Sequence, residues 1–197
     1  MLTKQDLKIV NSAANDKYRP NITAVNFKVV DQLNHNGGVF NSKYGYKLIL
    51  VATDGYILTK KTIVLVDKPD FDEILIPAND IKNVLKLMTN KDYVEIIDRK
   101  FIIKDKTGNV INELKINLLE NNYPKYETLI PTDDIIATLI LNAGYLIEVL
   151  NQVDSQDSTI TIELFNQSKG IKPLVIKSKK DTIETISLVM PLKSQRL

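Results

Sequence analysis

One amphipathic helix followed by several short strands, repeated about three times, is the feature that most limits the folds open to this chain. The strands are separated by turns too short for a helical crossover, so neighbouring strands must run antiparallel. Each helix has one apolar stripe to bury, and a small sheet is the surface on which to bury it. The pattern therefore predicts an α+β protein. At 197 residues the chain is long enough for one large or two small cores.

The first unit starts at Thr3, an N-cap residue with Asp6 at the capping-box position. Leu7, Val10, Ala13 and Ala14 follow at helical spacing, and Pro20 marks the exit. Alternation predicts a strand over 22–30, then a Gly- and Asn-rich loop over 34–45. Strands over 47–52 and 56–66 flank Thr53-Asp54-Gly55, where Gly supplies positive φ and Asp bonds its own backbone. The second unit reads as a short strand over 74–76, a helix opening at Pro77, and a stripe of Ile81, Val84, Leu85 and Met88. Strands over 93–97, 100–104 and 110–118 follow. In the third unit a strand over 135–141 leads to Asn142, an N-cap for a helix with the stripe Leu146, Val149, Leu150 and Val153. Strands over 159–165, 174–177 and 185–190 close the chain.

Composition excludes several chemistries. There is no cysteine, so neither disulfides nor thiolate metal sites can form. The single histidine, His35, lies in the loop-like stretch 34–38, which suits solvated surface better than catalysis. Apolar content of 44% and charged content of 25% are ordinary for a globular protein, and the net charge of +2 is too small to argue for or against nucleic acid. No signal pattern opens the chain and no apolar run approaches a membrane span, so a cytoplasmic protein is expected. The end of the chain, SLVMPLKSQRL over 187–197, breaks the rule that exposed termini are polar. Met190, Pro191, Leu192 and Leu197 would sit in water if it frayed, so they are expected to line something.

Three stretches, in order, resemble the bacterial β sliding clamp family, the DNA polymerase III β subunit. They are VATDGYIL over 51–58, NYPKYETLIP over 122–131, and the tail over 188–197. Lys17-Tyr18-Arg19-Pro20 leading to Phe27 also looks like a family turn and strand. The resemblance implies clamp-fold repeats and a sequence-independent processivity factor that encircles duplex DNA. It implies partner peptides from a DNA polymerase and a clamp loader, and no enzyme activity, cofactor or metal. Family members carry three domains of two units each. This chain then corresponds to one full domain over 1–131 and a third unit with the peptide-pocket tail over 132–197. A ring would need more copies than the usual dimer, a homo-oligomer of three or four.

Carried over by motif, the family's peptide pocket falls on Ile22, Thr53, Gly55, Tyr56, Ile57 and Leu58. Pro124, Thr128 and Leu129 follow from the second stretch, and Val189, Met190, Pro191 and Leu192 from the tail. An apolar groove with a flexible Met suits short extended peptides. The plainer reading makes Ile22, Leu58 and Leu129 ordinary core. Tyr56 and Thr128 stand where the family often has basic residues, and the tail is two residues longer than the family's. For DNA, ring-lining helices need long, flexible cations, and the candidates are Lys4, Lys8, Lys17, Arg19, Lys82, Lys86 and Lys91. The third helix carries Glu148 and no basic residue.

Two rivals remain. One is a clamp-fold protein that does not encircle DNA, a decoy or regulatory peptide binder of the kind a phage or mobile element would encode. The other is a metal-dependent nuclease built on Asp54, Asp70, Asp72, Asp80, Asp133 and Asp134. For Asp54, Asp80, Asp133 and Asp134, however, a turn, a helix start or a strand start already accounts for the carboxylate.

Overall fold

The computed structural model describes residues 1–16, 18–31, 45–135, 138–153, 159–165, 172–180 and 183–192. His35, Lys17 and the last five residues of the tail lie outside these. The chain divides into two units, Met1–Ile130 and Pro131–Leu197.

The first unit opens with β1 (Leu2–Thr3) and α1 (Lys4–Leu7). Thr3 caps α1 reciprocally: its hydroxyl accepts from the Asp6 N–H, and its own N–H donates to the Asp6 carboxylate at 2.9 Å. The helix predicted through Ala14 is shorter than its spacing suggested. After Leu7 the chain tightens into a 3-10 turn over Lys8–Ser12, and Ala13 is extended. Ile9 and Val10 are β-branched, and Asn11 and Ser12 compete for backbone hydrogen bonds, so α-helix gains little here. Lys61 Nζ reinforces the early ending by donating to the Gln5 and Asp6 carbonyls.

A second 3-10 turn, Pro20–Ile22, precedes β2 (Ala24–Asp31), so Ile22 sits in the turn and not in the predicted strand. Then come β3 (Tyr46–Thr53), β4 (Leu58–Leu65), β5 (Glu73–Pro77), α2 (Ala78–Leu87), β6 (Tyr93–Ile97), β7 (Lys100–Lys104) and β8 (Val110–Lys115). Tyr56 and Ile57 belong to the β3–β4 turn, and β8 ends before the predicted 118. The strands form two antiparallel sheets, ordered β4-β3-β2-β5 and β1-β6-β7-β8. The β6–β7 turn holds Asp98 and Arg99 at φ 49° and 57°, with the Asp98 N–H donating to the Asp70 carboxylate at 3.0 Å.

Both sheets and both helices of this unit share one core, in which Leu7, Phe27, Leu50, Ile76, Ile81, Phe101 and Ile103 are fully buried. α2 lies against α1 and the Lys8–Ser12 turn, and that turn covers β3 and β4. Ile81, Val84 and Met88 point into the core, which leaves Lys82, Asn83 and Lys86 on the exposed side of α2.

The second unit contains α3 (Ala143–Leu150), β9 (Ile160–Glu163), β10 (Leu174–Lys180) and β11 (Ile183–Val189), the strands forming one antiparallel sheet ordered β11-β10-β9. Asn142 caps α3, its side chain accepting from the Gly144 N–H at 2.8 Å and the Tyr145 N–H at 3.3 Å. The core is small: Leu174, Ile176 and Val189 are buried, with Leu139, Leu141, Leu146, Val149 and Ile160 packed around them. The predicted strand over 135–141 does not form at its described positions. The Ile140 carbonyl instead accepts a single bond from the Leu192 N–H at 2.7 Å. Among the described residues no helix is long and apolar enough to cross a membrane.

Candidate functional site

The β3–β4 turn is built by its own side chains. Asp54 accepts from the Tyr56 and Ile57 N–H groups, both at 2.8 Å, and those bonds hold its carboxyl below the usual range. The Thr53 hydroxyl donates to the Ile57 carbonyl at 2.6 Å and accepts from the Gly55 N–H at 3.1 Å. Gly55 has φ +97°, a conformation that a Cβ disfavours. With the backbone bonds satisfied inside the turn, Tyr56 (93% exposed) and Ile57 (52%) are displayed to solvent.

Two other segments meet this turn. The Ala14 N–H donates to both the Ile22 and Thr53 carbonyls, at 2.9 and 3.2 Å, and so ties the Pro20–Ile22 turn to the end of β3. Ile22 is buried there, while Leu58, the first residue of β4, is half-buried. The 122–131 stretch reaches the same place through two tyrosines. The Tyr123 hydroxyl is buried beside the Thr53 backbone without completing a hydrogen bond, and burial pushes its pKa up to about 12. Tyr126 is buried too, packs edge-on to Tyr123 with centroids 6.5 Å apart, and receives Lys60 Nζ 5.9 Å from its ring centre. Pro124, Thr128 and Leu129 lie exposed on that stretch, Thr128 and Leu129 within a 3-10 turn over Glu127–Leu129. Leu129, at 71% exposure, is not core; Ile22 is.

The tail residues belong to the second unit. Val189 is part of its core. Met190 and Leu192 are about half exposed and Pro191 is half-buried.

The basic candidates separate. Lys8, Lys82, Lys86 and Lys91 are exposed on or beside the helices of the first unit. Lys4 is half-buried, and its ammonium donates to the Met88 carbonyl at the end of α2. Arg19 stands apart from the helix lysines. Its Nε pairs with Asp16 at 2.7 Å, its Nη2 reaches toward the Asp54 carbonyl at 3.5 Å, and a Cβ on Gly55 would meet its Nη1 at 2.8 Å. Arg19 is therefore a neighbour of the turn. Tyr123, Tyr126, Lys60 and Asp16 were missed by sequence reasoning. The signal for the tyrosines was their spacing of three, with Pro124 between them and Pro131 beyond.

Four of the six carboxylates of the nuclease reading are engaged in bonds of their own. Asp72 pairs with Lys68 at 2.7 Å, and Asp80 accepts from the Asn117 N–H at 2.8 Å. Asp54 and Asp70 close turns. Among the described residues no three His, Cys, Asp or Glu lie together as a metal site.

Comparison with known proteins follows the same lines. Residues 7–125 match the family model for the DNA polymerase III beta subunit, central domain. The chain is 29% identical over 171 residues to the beta sliding clamp of Streptococcus pneumoniae serotype 4, an alignment covering 82% of this chain and 41% of that protein. Among solved structures, the beta subunit of Streptococcus pyogenes superposes with a TM-score of 0.67 at 16% identity, covering 98% of this chain and 49% of that one. The Helicobacter pylori beta clamp bound to a DNA ligase peptide superposes with a TM-score of 0.66 at 17% identity, with 98% and 49% covered. The chain thus spans about two fifths of the curated relative and about half of the solved ones.

Proposed function

Since the chain belongs to the DNA polymerase III beta subunit family, we propose that it serves as a DNA sliding clamp, holding duplex DNA without sequence preference and docking short partner peptides. The reading assigns no catalysis and no cofactor. Its main support is the convergence in the first unit of Ile22, the Thr53–Leu58 turn and the 122–131 stretch, three segments far apart in sequence. An exposed Tyr56 and Ile57 on a turn whose polar backbone is internally satisfied offer apolar anchors to an extended peptide. Partner peptides of a polymerase or clamp loader are the proposed occupants.

The DNA role is assigned to Lys8, Lys82, Lys86 and Lys91. Exposed lysines make flexible, salt-dependent phosphate contacts that let a protein slide. Encirclement would require a homo-oligomer, three or four copies if a ring forms. The alternative, a peptide binder that does not encircle DNA, draws support from α3, which has no basic residue.

The test is topological. Protein loaded on nicked circular DNA should stay bound in moderate salt and be lost after linearisation. Equal loss from circles and linear DNA would remove the ring and leave the peptide-binding reading. A fluorescent peptide with extended apolar anchors should bind in either case, and Ile57→Asp should abolish that binding. An unchanged affinity would overturn the pocket.

A further inference from the structure

Lys60 is a cation held close to the β3–β4 turn with no carboxylate of its own. Strand alternation puts Leu58 and Lys60 on one face of β4, and Thr59 and Lys61 on the other. The second face turns toward the start of the chain: the Thr59 hydroxyl meets that of Ser12 at 2.7 Å, and Lys61 donates to the Gln5 and Asp6 carbonyls. The first face carries the 122–131 stretch. Leu58 pairs with Thr53, whose backbone lies beside Tyr123, and Lys60 lies over Tyr126.

That position is fixed from below. Tyr126 is buried and its ring stands edge-on to Tyr123. Lys60 Nζ rests 5.9 Å from the ring centre, so the stem lies along a buried ring while the exposed side chain keeps its ammonium in solvent. No carboxylate among the described residues pairs with it. The carboxylates around it have other partners: Asp16 holds Arg19, Asp54 closes the turn, and Glu127 lies at the Tyr126 hydroxyl. A cation placed by a ring and left unpaired beside Leu58 and Ile57 is arranged to meet a charge from outside.

We infer that Lys60 reads charge in a docked segment, taking a carboxylate carried near the segment's apolar anchor. Under the peptide-docking reading, on which this rests, the partner is then an extended peptide that is both apolar and acidic. The spacing favours it. Leu58 and Lys60 are two residues apart on one face, about 6.6 Å along the strand. An extended peptide lying alongside repeats its side chains at the same interval, so an apolar residue set against Leu58 brings a carboxylate to Lys60 from two positions away. Arg19 is less available for that carboxylate, since its Nε is already paired with Asp16 at 2.7 Å.

Fluorescence anisotropy of the full chain with two synthetic extended peptides tests this. Both carry the same apolar residues; one has aspartate two positions to either side of its central leucine, the other asparagine. The contact is an exposed ion pair, so the aspartate peptide should bind about two- to fivefold tighter at low salt, mostly through faster association. High salt should erase that lead. Lys60→Gln should bind both peptides alike, and Lys60→Arg should keep the preference. Lys125→Gln removes another exposed charge from the neighbouring stretch and should keep it too. Lys60→Glu should turn the preference toward the asparagine peptide. Equal affinities in the unaltered chain, or a preference that survives Lys60→Gln, overturns the role of Lys60 and leaves the apolar docking reading in place. Failure of both peptides to bind removes the docking reading and Lys60's role with it.

Discussion

The two units differ in how a similar helix is used. The first unit closes two sheets and two helices around one core, with Phe27 and Phe101 at its centre. The second unit sets one helix on one sheet around three buried residues. Of the large apolar side chains exposed among the described residues, eleven of twenty-three belong to the second unit, although it holds only about a third of the chain. A helix stripe alone does not make a covered helix; the covering depends on a second repeat packed beside it.

The largest test of this contrast is in the cores. Phe27→Ala should cost about 3–5 kcal/mol, read from the urea midpoint, because a buried ring leaves a cavity that two sheets cannot collapse into. Val189→Ala should cost only about 1–2 kcal/mol, since two carbons are lost from a small core with room to relax. Equal costs would mean the two units unfold as one and would erase the distinction. Native-state hydrogen exchange should likewise show β9–β11 opening at lower free energy than β2 and β3.

Next comes the turn that gathers the proposed peptide site. Gly55→Ala should destabilise by about 1–2 kcal/mol for the left-handed backbone, the flexible end of Arg19 moving aside, measured by thermal unfolding. Peptide affinity should fall with it, because Tyr56 and Ile57 are aimed by this turn. A matching substitution on α3, Gly144→Ala, should be mild, since Gly144 has no left-handed backbone and its added Cβ would meet only the Asn142 side-chain oxygen at 3.1 Å.

The α2 and α3 faces differ in charge, and salt dependence measures that. Lys82→Glu with Lys86→Glu should reduce the slope of log affinity for duplex DNA against log salt by about two. An unchanged slope would mean that α2 does not face DNA. Adding a lysine to α3 through Ile147→Lys should raise the slope by at most about one.

The smallest effect is at Tyr123. Burial favours the neutral phenol, so the folded state holds its proton to higher pH than the unfolded chain does. Stability is therefore lost as pH rises from about 10, the ordinary tyrosine value, through about 12. Tyr123→Phe should flatten that part of the pH profile. Near pH 7 it should change stability little, because the hydroxyl completes no hydrogen bond.

What could be read locally was legible. The Thr3–Asp6 capping box, the Thr53–Gly55 turn, the Asn142 cap and the stripe of α2 each rest on residues within a few positions of one another. The first helix was over-read because periodicity cannot tell 3.6 from 3.0 residues per turn over so short a stretch; the Lys61 bonds that favour its early ending come from distant β4. The site was legible only through resemblance. That Tyr123 reaches Thr53, and that Lys4 donates to the end of α2, are long-range outcomes that no local spacing encodes.

Arg19 and Gly55 carry a further lesson. The guanidinium occupies the volume into which any side chain at residue 55 would grow. Asparagine tolerates left-handed backbone and often replaces glycine in turns, yet here it would satisfy the torsion and still strike the arginine. The contact is with the far end of a flexible, half-exposed side chain, so Arg19 can swing aside, and the torsion at residue 55 decides what can stand there. A library that varies residue 55 alone should therefore keep asparagine and lose the β-branched residues, whatever stands at residue 19.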